Sequence, residues 1–128
     1  MHTDRPNTVF IVDDSEHIRA RIAEMLSAVA GTCLVGEAGS ARDAIAGIIR
    51  TRPDAVLLDI NLGGPSGLDV LRAIRPRLPQ TVFVVLSNHS EPQYRRACAD
   101  AGAAHFLDKT TEFDRVPALL ARIAATSH

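Results

Sequence analysis

The sequence predicts a doubly wound α/β domain built on a five-stranded parallel sheet. Three observations carry this. Short apolar, β-branched runs alternate five times with stretches of helical periodicity. The runs are continuously apolar rather than alternating, the habit of strands buried on both faces. The polar residues with chemical potential gather where the runs end.

In chain order, TVFIV (8–12) forms the first strand, and Ile18, Ile22, Met25, Leu26 and Val29 stripe the helix after it. CLVGEA (33–38) is the candidate second strand, followed by a helix with Ala41, Ala44, Ile45, Ile48 and Ile49 on one side. AVLLD (55–59) and the shorter stripe Leu68, Leu71 and Ile74 form the third pair. TVFVVL (81–86) precedes EPQYRRACADA (91–101), the poorest helix, which offers the core only Tyr94 and small residues and is expected to be the loosest element. The weaker strand AHFLD (104–108) leads into a last helix striped by Val116, Leu119, Leu120 and Ile123. Ser40 with Asp43, Ser66 with Asp69, Ser90 with Gln93 and Thr111 with Asp114 have capping-box spacing, and Gly31 and Gly102 sit where helices would stop.

A chain of 128 residues, 46% hydrophobic, suits one compact core, so residues 1–128 are read as a single domain with its core over about 8–125. The net charge of −1 offers no basic excess for a phosphate backbone, which argues against direct nucleic-acid binding. No apolar run approaches the roughly 20 residues of a membrane span, and the polar opening MHTDRPNT is unlike a signal peptide. Cys33 and Cys98 have no metal-like spacing and read as reduced core residues, which implies the cytoplasm.

In a parallel sheet, residues that end different strands meet along one edge, where open α/β sheets bind ligands. Here those residues are Asp13 and Asp14, Asp59, Ser87 and Lys109, the chain's sole lysine. Each alone is an ordinary turn or surface residue, but solvated turns do not explain their joint placement. Three crowded carboxylates repel unless a cation joins them, and hard oxygens with room for water suit Mg²⁺, with Mn²⁺ a workable substitute. Lys109 supplies a compact charge for a phosphoryl oxygen and Ser87 a hydrogen bond. Asp59 is then placed as a nucleophile able to form an acyl phosphate. The loop after it, GGPSG (63–67), lets the backbone turn away and leaves the carboxylate accessible.

The set VDD (12–14), LLDINL (57–62), LSN (86–88) and GAAHFLDK (102–109) resembles the receiver domain of two-component response regulators over essentially the whole chain. No piece is specific alone; the ordered set at strand ends is. The resemblance implies a flavodoxin-like (βα)5 fold with strand order 2-1-3-4-5. It implies that Asp59 accepts a phosphoryl group from a histidine kinase or histidine phosphotransfer protein. It further implies a metal ion held by Asp14, Asp59 and the backbone carbonyl of Asn61, with Asp13 acting through water. Ser87 matches the switch hydroxyl and Phe106 the switch aromatic, whose movement remodels the face of helix 4, strand 5 and helix 5 for a downstream protein target. Asn61 and His89 match positions that tune the lifetime of the acyl phosphate. A homodimer is compatible with this reading.

Three positions depart from the commonest receiver pattern. Thr110 stands where a cis-proline usually follows the lysine, which leaves the Lys109–Thr110 peptide geometry open. Asn88 replaces a small residue and could narrow phosphoryl access, and Pro65 lies two residues later than usual. His17 reads as a solvent-facing helix residue, while Tyr94, Arg95 and Arg96 fit either a partner surface or an exposed basic stretch. Two other classes compete. A dehalogenase-type phosphohydrolase would carry its nucleophile in a D-x-D motif after the first strand, with a cap segment; a receiver fold used only for protein contact would be inert to phosphodonors. Because the chain ends just after the fifth helix, a stand-alone receiver is expected, although a fragment of a DNA-binding regulator would look the same.

Overall fold

The computed structural model describes residues 5–62 and 67–127. The five apolar runs become five strands: β1 (Asn7–Val12), β2 (Thr32–Ala38), β3 (Ala55–Asp59), β4 (Val82–Ser87) and β5 (His105–Asp108). All pair in parallel in the order β2-β1-β3-β4-β5. Between them lie α1 (Glu16–Ser27), α2 (Ala41–Thr51), α3 (Gly67–Ile74) and α4 (Pro92–Asp100), and α5 (Val116–Ser127) closes the fold after a 3-10 turn at Phe113–Arg115. The flavodoxin-like (βα)5 expectation therefore holds.

Alternation along each strand sends side chains into two cores. Phe10, Val12, Val56, Leu58 and Phe83 pack with α2 and α3, while Val9, Ile11, Leu57, Val84 and Leu86 pack with α1 and α5. Two glycines make room for Phe10, since a Cβ on Gly36 or Gly47 would lie 2.6 Å from its ring. Gly36 also sits at the irregularity where the β1–β2 register shifts after Val9.

The helix ends separate local signal from tertiary outcome. Ser40 caps α2 through Asp43 N–H, and Ser15, not anticipated, caps α1 through Ile18 N–H. Ser90 does not cap α4, which begins at Pro92 behind Glu91 with no side-chain cap. Thr111 does not cap α5, because the 3-10 turn intervenes and Thr111 instead donates its N–H to Asp108 Oδ1 at 3.2 Å. The Ser66 cap and Pro65 lie outside the described residues. Gly102, with φ of 109°, completes a Schellman-type end to α4 through Gly102 N–H to Ala99 O and Ala103 N–H to Cys98 O. Gly31, with φ of 77°, turns the chain into β2 rather than ending α1 directly.

Two packing expectations are corrected. Tyr94 is 44% exposed, so α4 buries only Cys98. Cys98 is buried but Cys33 is exposed on β2, an edge strand that presents its side chain to solvent. Among the described residues every peptide bond is trans, Lys109–Thr110 included, and no helix is long and apolar enough to cross a membrane.

Candidate functional site

Parallel pairing aligns the ends of β1, β3, β4 and β5, and the predicted polar residues meet there. Asp13 follows β1 and is 1% exposed; Asp59 ends β3 and is 4% exposed; Asp14 is exposed. One carboxylate oxygen from each of the three lies within 4.8 Å of the others. Lys109, just past β5, reaches between two of them: its Nζ is 2.6 Å from Asp13 Oδ2 and 3.1 Å from Asp59 Oδ2.

The two buried carboxylates are each fixed by their own turn. Asp13 Oδ1 accepts the Ser15 N–H at 2.9 Å, and Asp59 Oδ1 accepts the Asn61 N–H at 3.0 Å. Both are Asx-type turns in which the acid orders the backbone leaving its strand. The Asp13 carbonyl also accepts Arg19 Nη1 at 2.7 Å, and Arg19 Nε pairs with Glu37, tying α1 and β2 to the end of β1. Gly67 brings α3 against the end of β3 beside Asp59, donating its N–H to Ile60 O at 2.8 Å. A Cβ there would lie 2.2 Å from Asp59 O, so only glycine permits the approach.

The electrostatics follow. Burial pushes the Asp59 carboxyl above the usual range and the charge of Asp13 adds to it, outweighing the Asn61 N–H and the Lys109 ammonium, which pull the other way. Burial opposes the Lys109 charge, but its hydrogen bond to Asp13 and the charges of Asp59 and Asp13 prevail and raise its pKa. One ammonium thus serves two buried acids and leaves the cluster short of positive charge.

A cavity of about 480 Å³ opens over Asp13, Asp14, Asp59, Asn61 and Lys109. Asn88 lines it, and so do Ile18 and Arg21 of α1 and Thr110 and Phe113. The last four were not read as site residues. The Arg21 guanidinium lies 4.6 Å over the Phe113 ring, an approach between residues 92 apart in sequence that only the fold creates.

Ser87, Phe106 and His89 stand slightly aside. Ser87 is fully buried, its Oγ accepts the His89 N–H at 2.9 Å, and its carbonyl accepts the Lys109 N–H at 2.8 Å. His89 is exposed, with its ring 5.4 Å from that of Tyr94. Phe106 is half-buried beneath the Arg95 guanidinium at 4.7 Å. Arg95 also donates Nε to Ser90 O and approaches Glu112, whose Oε1 accepts the Asp108 N–H at 2.9 Å. A hydrogen-bonded belt therefore joins the β4–α4 loop, α4 and the end of β5.

Residues 9–121 match the family model of the response regulator receiver domain. The chain belongs to that family, and it is accordingly a signalling module of two-component systems whose members switch by phosphorylation and interact with histidine kinases and downstream effectors. Among curated relatives, it is 38% identical to the transcriptional activator protein ExaE of Pseudomonas putida over 101 residues, 79% of this chain and 47% of that protein. It is 34% identical to the response regulator UvrY of Escherichia coli K12 over 101 residues, 79% of this chain and 46% of UvrY. The chain thus spans about half the length of these relatives. The fold matches a LuxR-family two-component response regulator from Aurantimonas sp. SI85-9A1 at TM-score 0.84 and 26% identity, covering 94% of this chain and 86% of that one. It also matches the response regulator domain of Thermotoga maritima CheB at TM-score 0.84 and 24% identity, covering 96% and 97%, a likeness of fold.

Proposed function

We propose that the chain is a phosphorylatable receiver in which Asp59 takes a phosphoryl group, in a Mg²⁺-dependent reaction, from the phosphohistidine of a histidine kinase or histidine phosphotransfer protein. The observation that carries this reading is the Asp13–Asp14–Asp59 cluster with Lys109 bridging its two buried members. Three hard carboxylate oxygens with an exposed flank at Asp14 fit a small divalent cation that keeps waters, which supports Mg²⁺ with Mn²⁺ as substitute. Asp14, Asp59 and the Asn61 carbonyl would hold it, with Asp13 acting through water. Once bound, the cation supplies positive charge to the phosphoryl oxygens.

The chain's own residues do the rest. The Asp59 carboxylate, ordered by Asn61 N–H, attacks phosphorus, and the P–N bond of the donor breaks with its electron pair returning to the imidazole. Lys109, already 3.1 Å from Asp59, stays to neutralise the charge gained. Ser87 would then turn from the His89 N–H toward the phosphoryl oxygens, and Phe106 would move with it and alter the α4–β5–α5 face for a downstream protein target or a homodimer partner. Asn61 and His89 would set how long the acyl phosphate lasts. Residues 1–128 act in this reading as one domain, located in the cytoplasm with its phosphodonor.

The test is intact mass after incubation with acetyl phosphate, with and without Mg²⁺. One added phosphate that requires Mg²⁺ and is lost in Asp59→Asn is the expected result. No addition, while a known active receiver is labelled in parallel, overturns the proposal in favour of a receiver fold that binds partners without phosphorylation.

A further inference from the structure

We propose that Arg21 and Phe113 form a leaving-group subsite that makes this receiver favour small acyl phosphates over phosphoramidate as phosphodonors. The inference rests on the phosphorylation of Asp59 proposed above. Arg21 lines the same cavity of about 480 Å³ as Asp13, Asp59 and Lys109, on its α1 wall. Its guanidinium carbon lies over the Phe113 ring, 4.6 Å from the centroid, a contact that restrains a flexible side chain without consuming its hydrogen-bond donors. Among the described residues, no carboxylate pairs with it, whereas Lys109, the other cation of the cavity, is held by Asp13 and Asp59.

The chemistry of the donor decides what such a cation can do. In phosphoryl transfer from an acyl phosphate, the P–O bond to the acyl oxygen breaks as the bond from Asp59 Oδ forms. The electron pair stays on the departing oxygen, and the product is a carboxylate. Displacement in line puts that group on the side of phosphorus away from Asp59, toward the open part of the cavity. A guanidinium fork matches a carboxylate and binds it more strongly as its charge develops. Phosphoramidate releases ammonia instead, a neutral group that gives Arg21 nothing to stabilise.

The experiment compares phosphorylation rates of the full chain with acetyl phosphate and phosphoramidate, by intact mass over a range of donor concentrations, in the parent, Arg21→Ala, Arg21→Lys and Phe113→Leu. The expected result is a fall of about three- to tenfold in the acetyl phosphate to phosphoramidate rate ratio for Arg21→Ala, the size of a charged hydrogen bond at a partly open site. Arg21→Lys should recover part of the ratio, and Phe113→Leu, which keeps apolar bulk but removes the ring, should lie between. The ratio cancels losses of folded protein, so a folding defect does not mimic the effect. An unchanged ratio in Arg21→Ala overturns the subsite even if the parent is labelled normally. Failure of the parent with both donors overturns instead the reading of Asp59 on which it rests.

Discussion

At the scale of residues, the site works against its own stability. Asp59 carries its charge in a place that resists it, so its folded pKa lies above that of the unfolded chain. A group raised in this way favours the folded state below the ordinary carboxylate range, and that contribution is lost as pH rises through the raised value. Metal-free Asp59→Asn should therefore be more stable than the parent at pH 7, by about 1 kcal/mol, with Lys109 still paired to Asp13. The gain should shrink toward pH 4 in urea unfolding with chelator present. Asp54 at the opposite sheet edge behaves in reverse. Burial raises its pKa, but hydrogen bonds from Thr8 N–H, Arg5 and Thr8 Oγ, with the charge of Arg5, lower it below 3.8 overall. Its stabilisation is present above that value and disappears as pH falls through the lowered one. Asp54→Ala should cost about 1–2 kcal/mol at pH 7 and progressively less under acid. The meeting of Asp13, Asp59 and Lys109 was legible in sequence because each stands at the end of an apolar run that the sheet must align. Arg21 and Phe113 were not, because stacking across 92 positions leaves no local pattern.

At the scale of elements, strands and their order were readable because continuous apolar runs admit few other solutions, whereas helix starts depended on contacts made elsewhere. Ser90 has the spacing of a cap, yet its hydroxyl bonds Asp108 on β5 and α4 begins two residues later behind Pro92. Tyr94 lies on the one helix with little to bury, so it stays at the surface against His89 instead of entering the core. The consequence for α4 is mobility: with Cys98 its only buried residue, its amides should exchange faster than those of α2 and α3, which bury four side chains or glycines each. Hydrogen exchange with equal protection in all three helices would contradict this. α3 is constrained differently, because Gly67 touches the backbone of Asp59 and Ile60. Gly67→Ala should cost about 1–3 kcal/mol by overpacking and slow phosphorylation by acetyl phosphate, since α3 cannot back away without shifting Asp59. A melting temperature and labelling rate matching the parent would show that α3 yields without moving the acid.

At the scale of the whole molecule, one edge of a well-packed sheet gathers like charges that two neighbouring strands, β1 and β3, deliver. Neither of the two cores can relax to separate them, because Val12, Leu58 and Leu86, immediately behind the acids or beside them, are buried in packed clusters. Repulsion is thus built into the folded state and absent from the unfolded one, and the divalent cation proposed above, binding only the folded arrangement, would recover the difference. Ligand binding of this kind stabilises by RT ln(1 + [L]/Kd), about 2.7 kcal/mol at a hundredfold excess over Kd. For a chain of this length, each kcal/mol moves the melting temperature by roughly 3–5 °C. Saturating Mg²⁺ should therefore raise the melting temperature of the parent by several degrees, and Ca²⁺, which demands more ligands than this shallow cluster offers, should raise it less. Asp14→Asn should abolish most of the rise, because Asp14 is the exposed member of the trio through which the cation would keep its waters. Ser87→Ala should retain it, because Ser87 Oγ is committed to the His89 N–H and not to the acids. A melting curve indifferent to Mg²⁺ in the parent would mean that Lys109 alone balances the cluster, and the cation would lose its place in the proposed reaction.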